Sequence, residues 1–148
     1  MTKLTFASHG SKRANYAVVA AAALWLLALC LPAIAPRGGR SLPGYEILLQ
    51  GIKASEFGVF AWFANPLFWI AITCAWARRD RAALVFSGLS LFFALQSFAA
   101  APLARRLGGP LLELRLEPGF FLWLAAPALL GAASAMALWA QLRDFEKD

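Results

Sequence analysis

Residues 57–101 have the sequence FGVFAWFANPLFWIAITCAWARRDRAALVFSGLSLFFALQSFAAA, and this stretch decides the fold. Its charged residues form one short cluster, Arg78-Arg79-Asp80-Arg81. The apolar run on each side of the cluster has roughly the 20 residues that a helix needs to cross a bilayer. The pattern predicts a transmembrane hairpin with the cluster at its tip. Because arginine resists translocation, we expect Arg78, Arg79 and Arg81 to anchor this tip on the cytoplasmic side.

The composition of the whole chain agrees with a lipid environment. Its 148 residues are 61% hydrophobic and 15% charged, whereas soluble domains have about 45–50% apolar and about 25% charged residues. All 14 Lys and Arg and all 8 Asp and Glu lie in the termini and between the apolar runs, as a bilayer requires. The net charge of +6 is thus divided between two sides of a membrane, so we expect no nucleic-acid partner.

The predicted fold class is an all-α integral membrane protein, a four-transmembrane-helix bundle that forms a single membrane domain. Pro32 and Pro36 end the first helix, and Pro36 also disfavours cleavage of that helix as a signal peptide. With the hairpin tip inside, both termini are predicted to be cytoplasmic in a multi-pass protein of a bacterial inner membrane. The predicted spans are residues 15–35, 57–77, 82–101 and 119–140.

The first loop contains an amphipathic segment at residues 44–53. Its apolar residues recur at helical spacing, and its charged residues share the opposite face. We predict a short helix in the outer interface. It serves either as a connector, or as a lateral gate or docking helix. The apolar docking residues are Tyr45, Leu48, Leu49 and Ile52.

The second predicted span carries tryptophans and polar side chains on one face. Pro66 lies inside this span and predicts a kink, because it removes one backbone hydrogen bond. Asn65 can satisfy a backbone group that the kink frees. Alternatively, this face lines a cleft for an apolar or lipid-like ligand. The candidate ligand or interface residues are Trp62, Asn65, Pro66, Trp69, Thr73 and, on the third helix, Gln96.

Small residues on the third and fourth helices predict close helix packing. The packing residues are Ser87, Ser90, Ala94, Ser97, Gly131 and Ala135. Gln96 points away from this seam and needs a polar partner in hydrocarbon. Asn65 or a residue of a partner subunit can supply it.

The third loop alternates leucine with charge at residues 112–117, the period of a β-strand. A short β segment here pairs with the first loop, with another subunit or with itself; otherwise the stretch is an extended connector. Glu113, Arg115 and Glu117 are its candidate docking residues.

Catalytic and metal chemistry have little support in the sequence. His9 is the sole histidine, and the predicted depths of Cys30 and Cys74 are too different for a disulfide. The spans contain no ionisable residue, which disfavours a coupled transporter. We therefore expect no catalytic residue, metal or cofactor.

The leading hypothesis is a non-catalytic accessory or scaffold subunit of a bacterial inner-membrane assembly. Its partners are membrane lipids and other membrane protein subunits or itself. The first alternative is a facilitator that binds or transports a lipid or apolar small molecule. The second is an enzyme that acts on lipid head groups at the outer face.

Overall fold

The computed structural model describes residues 6–36, 39–53, 60–98 and 114–145. Most of these residues are helical, as predicted. The helices are α1 (Phe6–Cys30), α2 (Gly44–Gln50), α3 (Ala64–Trp76), α4 (Asp80–Leu95) and α5 (Pro118–Phe145), and a 3-10 turn at Ala61–Phe63 leads into α3. The strands are β1 (Pro32–Pro36), β2 (Leu42–Pro43) and β3 (Leu114–Leu116).

The four longer helices form a bundle, with α2 and the strands at one end. Helix α5 packs along both α1 and α4, and α3 packs along α4. Helices α1 and α3 touch over fewer residues. The bundle therefore runs from α1 through α5 and α4 to α3. Helix α2 packs on α1, and the 3-10 turn packs on α4 and α3.

The predicted set of four full-length spans is not supported. Among the described residues one helix, at Pro118–Asp144, is long and apolar enough to cross a membrane. Asn15–Cys30 and Ala61–Trp76 are apolar but shorter. The first helix stops before residue 35 because Pro32 and Pro36 cannot donate helical hydrogen bonds, and residues 32–36 form β1 instead.

The other predicted boundaries also differ from the structure. Helix α3 begins at Ala64, and α4 ends at Leu95, so both are shorter than the spans 57–77 and 82–101. Helix α5 extends beyond 119–140 at both ends. Residues 57–59 and 99–101 lie outside the described part of the chain.

A three-stranded antiparallel sheet in the order β2-β1-β3 covers one end of the bundle. Ile34 of β1 pairs with Leu116 of β3, so the third loop pairs with chain that follows α1. Two further backbone bonds attach this cap, from Glu117 N to Ala33 O at 3.0 Å and from Gly44 N to Leu31 O at 3.1 Å.

Small residues are buried in the bundle, and many large apolar residues face outward. Alanines such as Ala21, Ala71 and Ala83 are fully buried. Leu49, Trp76 and other bulky side chains are exposed over more than half of their surface. A water-soluble protein normally buries its large apolar side chains. Helix association through Ala and Ser is instead typical of membrane bundles.

The arginine cluster forms the turn between α3 and α4. Arg78 has a positive φ of 60°. Its N–H bonds to Ala75 O, while Arg79 N bonds to Cys74 O at 2.9 Å; this pair of bonds is a Schellman motif, which usually has glycine at the left-handed position. The guanidinium of Arg78 also donates to Asn15 Oδ1 at 2.9 Å, which connects the turn to α1.

Candidate functional site

The side-chain amide of Asn65 is the centre of a buried polar network. Its Oδ1 accepts hydrogen bonds from Trp25 Nε1 at 3.2 Å and from Trp123 Nε1 at 2.9 Å. Its Nδ2 donates to the carbonyl oxygen of Trp62 at 3.0 Å. Indole N–H groups can only donate, so they fix the orientation of the amide. We call Asn65 and these three tryptophans the amide hub.

The local sequence explains why an amide stands at position 65. Pro66 has no N–H to donate to the carbonyl of Trp62, four residues earlier. Asn65 Nδ2 donates to that carbonyl instead. Since α3 begins at Ala64, Pro66 lies in the first helical turn, where proline is well tolerated. The predicted kink inside a span is therefore a helix start.

A cleft of about 270 Å³ lies beside the amide hub, between the end of α1, the sheet, α2 and the starts of α3 and α5. Among the residues that the structure describes, the lining is almost wholly apolar and includes no charged residue. Asn65 and Ser97 contribute its polar side chains besides the tryptophans. The other lining residues are Ala28, Leu29, Ala33, Ile34, Gly44, Ile47, Leu48, Gly51, Ala61, Trp62, Leu116, Gly119, Phe120 and Trp123.

Helix α2 forms one wall of the cleft and is held against the 3-10 turn. Trp62 Nε1 donates to the carbonyl oxygen of Leu48 at 2.8 Å. A Cβ added at Gly51 would lie 3.1 Å from the Trp62 ring, so the indole packs directly on the α2 backbone. The polar side of α2 carries an ion pair between Arg40 and Glu46 at 2.6 Å.

Two glycines let the other walls approach the end of α1. A Cβ at Gly44 would lie 2.3 Å from Ala28 O, and a Cβ at Gly119 would lie 2.7 Å from Pro32 O. Both distances are shorter than real Cβ contacts. Helices α2 and α5 therefore begin in direct backbone contact with the segment that joins α1 to β1.

No protein-family model, curated protein or solved structure matches this chain.

The structure separates the predicted ligand face into two parts. Trp62 and Asn65 line the cleft. Trp69 packs edge-on against Trp25, with ring centres 5.1 Å apart, but is partly exposed and does not line the cleft. Thr73 is exposed and donates to Ile70 O at 2.8 Å. Gln96 caps the end of α4 and is not a partner of Asn65.

Most of the predicted packing residues lie in the interior. Ser87, Ser90 and Ala94 are at most 1% exposed. Ser90 Oγ donates to Ala64 O at 2.8 Å, whereas Ser87 Oγ has no partner among the described residues. Gly131 faces Ser87. Ser97 lines the cleft and bonds to Ala94 O, and Ala135 is exposed.

The predicted docking residues are not all at the surface. Tyr45, Leu49 and Ile52 are exposed, while Leu48 is half-buried and lines the cleft. Arg115 and Glu117 approach each other at 3.7 Å, and Glu113 lies outside the described residues.

The sequence did not reveal that Trp25 and Trp123 belong to this site. Trp25 is 40 residues from Asn65 and is 6% exposed. A buried tryptophan needs an acceptor for its N–H. This requirement is the feature that could have connected Trp25 and Trp123 with the Asn65 amide. Across the described residues no group of three metal-ligating side chains comes together. The lining provides apolar contact and a few hydrogen-bonding groups.

Proposed function

We propose that this chain is a small multi-pass membrane protein that binds a neutral, apolar molecule in the cleft. The observation that carries the proposal is the cleft itself, which has room for a small ligand and, in the described part of the chain, no charged residue in its lining. Ligand pockets typically combine apolar walls with a few placed polar groups. Asn65 and Ser97 supply such groups here.

The surface of the bundle supports membrane insertion. Bulky apolar side chains are exposed on every long helix, and α5 is long and apolar enough to cross a membrane. Trp76 and Trp139 are exposed near the arginine turn and the end of α5, as an interfacial aromatic belt would be. Arg143 lies over the Trp139 ring at 4.1 Å, where a cation is expected at the polar edge of that belt.

We extend this proposal to four crossings with both termini in the cytoplasm. The segments Asn15–Cys30 and Ala61–Trp76 each rise about 24 Å at 1.5 Å per residue. This is less than the roughly 30 Å of an average hydrocarbon core. Local thinning of the bilayer accommodates such a mismatch at modest cost.

The size of the cleft limits its occupant. Pockets for drug-sized ligands have volumes of about 300–1,000 Å³. The cleft, at about 270 Å³, lies just below that range. A short chain, a single ring or one end of a longer lipid fits this space.

The test uses quenching of tryptophan fluorescence by 1-bromooctane in lipid nanodiscs. Trp76 and Trp139 are replaced by Phe, so that emission from the amide hub dominates. We expect saturable quenching. The variant Ala61→Phe places a larger side chain in the cleft. We expect it to weaken binding of 1-bromooctane about tenfold, which corresponds to the free energy of burying roughly two methylene groups.

The matched control is Ala135→Phe, which makes the same change at an exposed position outside the cleft. It should bind the probe like the parent protein. Quenching that never saturates, or that is the same in both Phe variants, would refute binding in the cleft.

The exposed apolar face of α2 favours a second candidate function, the accessory or scaffold subunit. Tyr45, Leu49 and Ile52 are all exposed, and Tyr45 and Leu49 lie on the short helix α2. Purification from native membranes in mild detergent tests this function. A monomer without any co-purifying protein would count against it.

A further inference from the structure

We propose that the ligand of the cleft carries one hydrogen-bond acceptor, a carbonyl or ether oxygen, and that Asn65 Nδ2 donates to it. The inference rests on the proposed function and specifies the chemical class of the molecule that binds. It follows from which donors and acceptors of the amide hub are already hydrogen-bonded and which donor is left.

The acceptor capacity of the Asn65 amide is filled. Its Oδ1 receives the N–H groups of Trp25 and Trp123, and an amide oxygen has two lone pairs. A ligand that offers only donors therefore finds no acceptor at this oxygen.

One donor of the amide is left over. The Nδ2 group has two N–H bonds, of which one goes to Trp62 O. The second has no acceptor in the part of the chain that the structure describes. Asn65 is 8% exposed and lines the cleft. A buried amide N–H without a partner is unfavourable, so an oxygen of the ligand supplies what this group lacks.

The remaining polar groups of the lining add no second donor. Trp62 Nε1 is bonded to Leu48 O, Trp123 Nε1 is bonded to Asn65, and the Ser97 hydroxyl is directed at Ala94 O. The described residues of the lining also include no cation to balance a carboxylate or phosphate, and an unpaired charge is costly to bury. A neutral ketone, ester or ether fits these conditions.

The experiment measures how well competitors displace 1-bromooctane from the cleft in nanodiscs, with each concentration corrected for partition into lipid. The competitors are octan-2-one, the size-matched alkane nonane, and octanoate. We expect octan-2-one to compete about tenfold better than nonane, the value of one buried hydrogen bond, and octanoate to compete least.

The variant Asn65→Asp removes the Nδ2 donor and keeps an oxygen that accepts from Trp25 and Trp123. It should lose the preference for octan-2-one, so that octan-2-one and nonane compete equally. Thermal unfolding followed by tryptophan emission shows whether the variant is folded. If the variant does not fold, the carbonyl stretch of isotope-labelled octan-2-one bound to the parent protein gives the answer, because a hydrogen bond lowers its frequency.

The outcomes distinguish this inference from the proposed function. Equal competition by octan-2-one and nonane, a preference for octanoate, or an unshifted carbonyl stretch would overturn the inference and leave apolar binding intact. Absence of saturable quenching by 1-bromooctane would overturn both, and would mean that the chain's own residues or another protein fill the cleft.

Discussion

Replacing Gly44 by alanine tests how closely α2 approaches the end of α1. The added Cβ would lie 2.3 Å from Ala28 O and 2.9 Å from Leu29 Cα. Both neighbours are backbone atoms and cannot rotate away. Since real Cβ atoms essentially never come within 3.0 Å of such atoms, α2 must move outward by about 0.7 Å. This shift also strains the bond from Gly44 N to Leu31 O.

The expected cost follows from two opposing terms. Overpacking of this kind destabilises proteins by about 1–3 kcal/mol, and the rigid backbone places Gly44 at the upper end. Alanine gains up to about 1 kcal/mol over glycine in helix propensity, less at the first position of a helix. We expect Gly44→Ala to lower the free energy of unfolding by about 2 kcal/mol, and the unfolding temperature by about 4–8 °C.

Gly88→Ala is the matched control. A Cβ at Gly88 would meet nothing within 4 Å, so only the propensity term remains, and we expect stabilisation by about 0.8–1.0 kcal/mol. Thermal unfolding in mild detergent, followed by tryptophan emission, measures both variants. If Gly44→Ala is as stable as Gly88→Ala, the close contact between α2 and α1 is wrong, and so is this wall of the cleft.

Two further predictions concern the α4 seam and the arginine turn. Ser87→Ala should raise the free energy of unfolding by about 1 kcal/mol, because it removes a buried hydroxyl that has no partner among the described residues. Ser90→Ala should lower the free energy of unfolding by about 1 kcal/mol, because it breaks the hydrogen bond to Ala64 O. The same change in both variants would contradict the hydrogen-bond assignment. Arg78→Gly should be about 1 kcal/mol more stable than Arg78→Ala, because both variants lose the side-chain bond to Asn15 and glycine alone relieves the positive φ. Equal stability of the two variants would refute this account of the turn.

The parts of the fold that depend on local patterns could be predicted. The arginine cluster predicted the turn at residues 78–79 because four consecutive polar residues interrupt an apolar pattern. Amphipathic spacing predicted a helix at 44–53, and the structure has α2 there. Alternation of leucine and charge predicted extended chain, and β3 lies in that stretch.

Features that depend on distant contacts could not be predicted. The helix end at Cys30 is coupled to pairing of β1 with a strand some 80 residues later, at Leu114–Leu116. Periodicity carries no information about such pairing. Likewise, the close backbone contacts that Gly44 and Gly119 allow can be recognised only when α2, α5 and the end of α1 are placed together. The sequence placed Asn65 in a polar face, but its bonds to Trp25 and Trp123 span 40 and 58 residues.

The cap over α1 and the cleft have a common physical origin. Polar backbone groups in an apolar environment must be paired, and when α1 ends at Cys30 the next residues pair with β2 and β3. The strand β1 advances about 3.3 Å per residue, against 1.5 Å for a helix. The chain beyond Cys30 is therefore extended, and the cleft beside Trp123 and Asn65 is lined here by the strands and α2 instead of a further long helix. Small residues at Ala28 and Ala33 keep that space open, and larger side chains at these positions would have closed it.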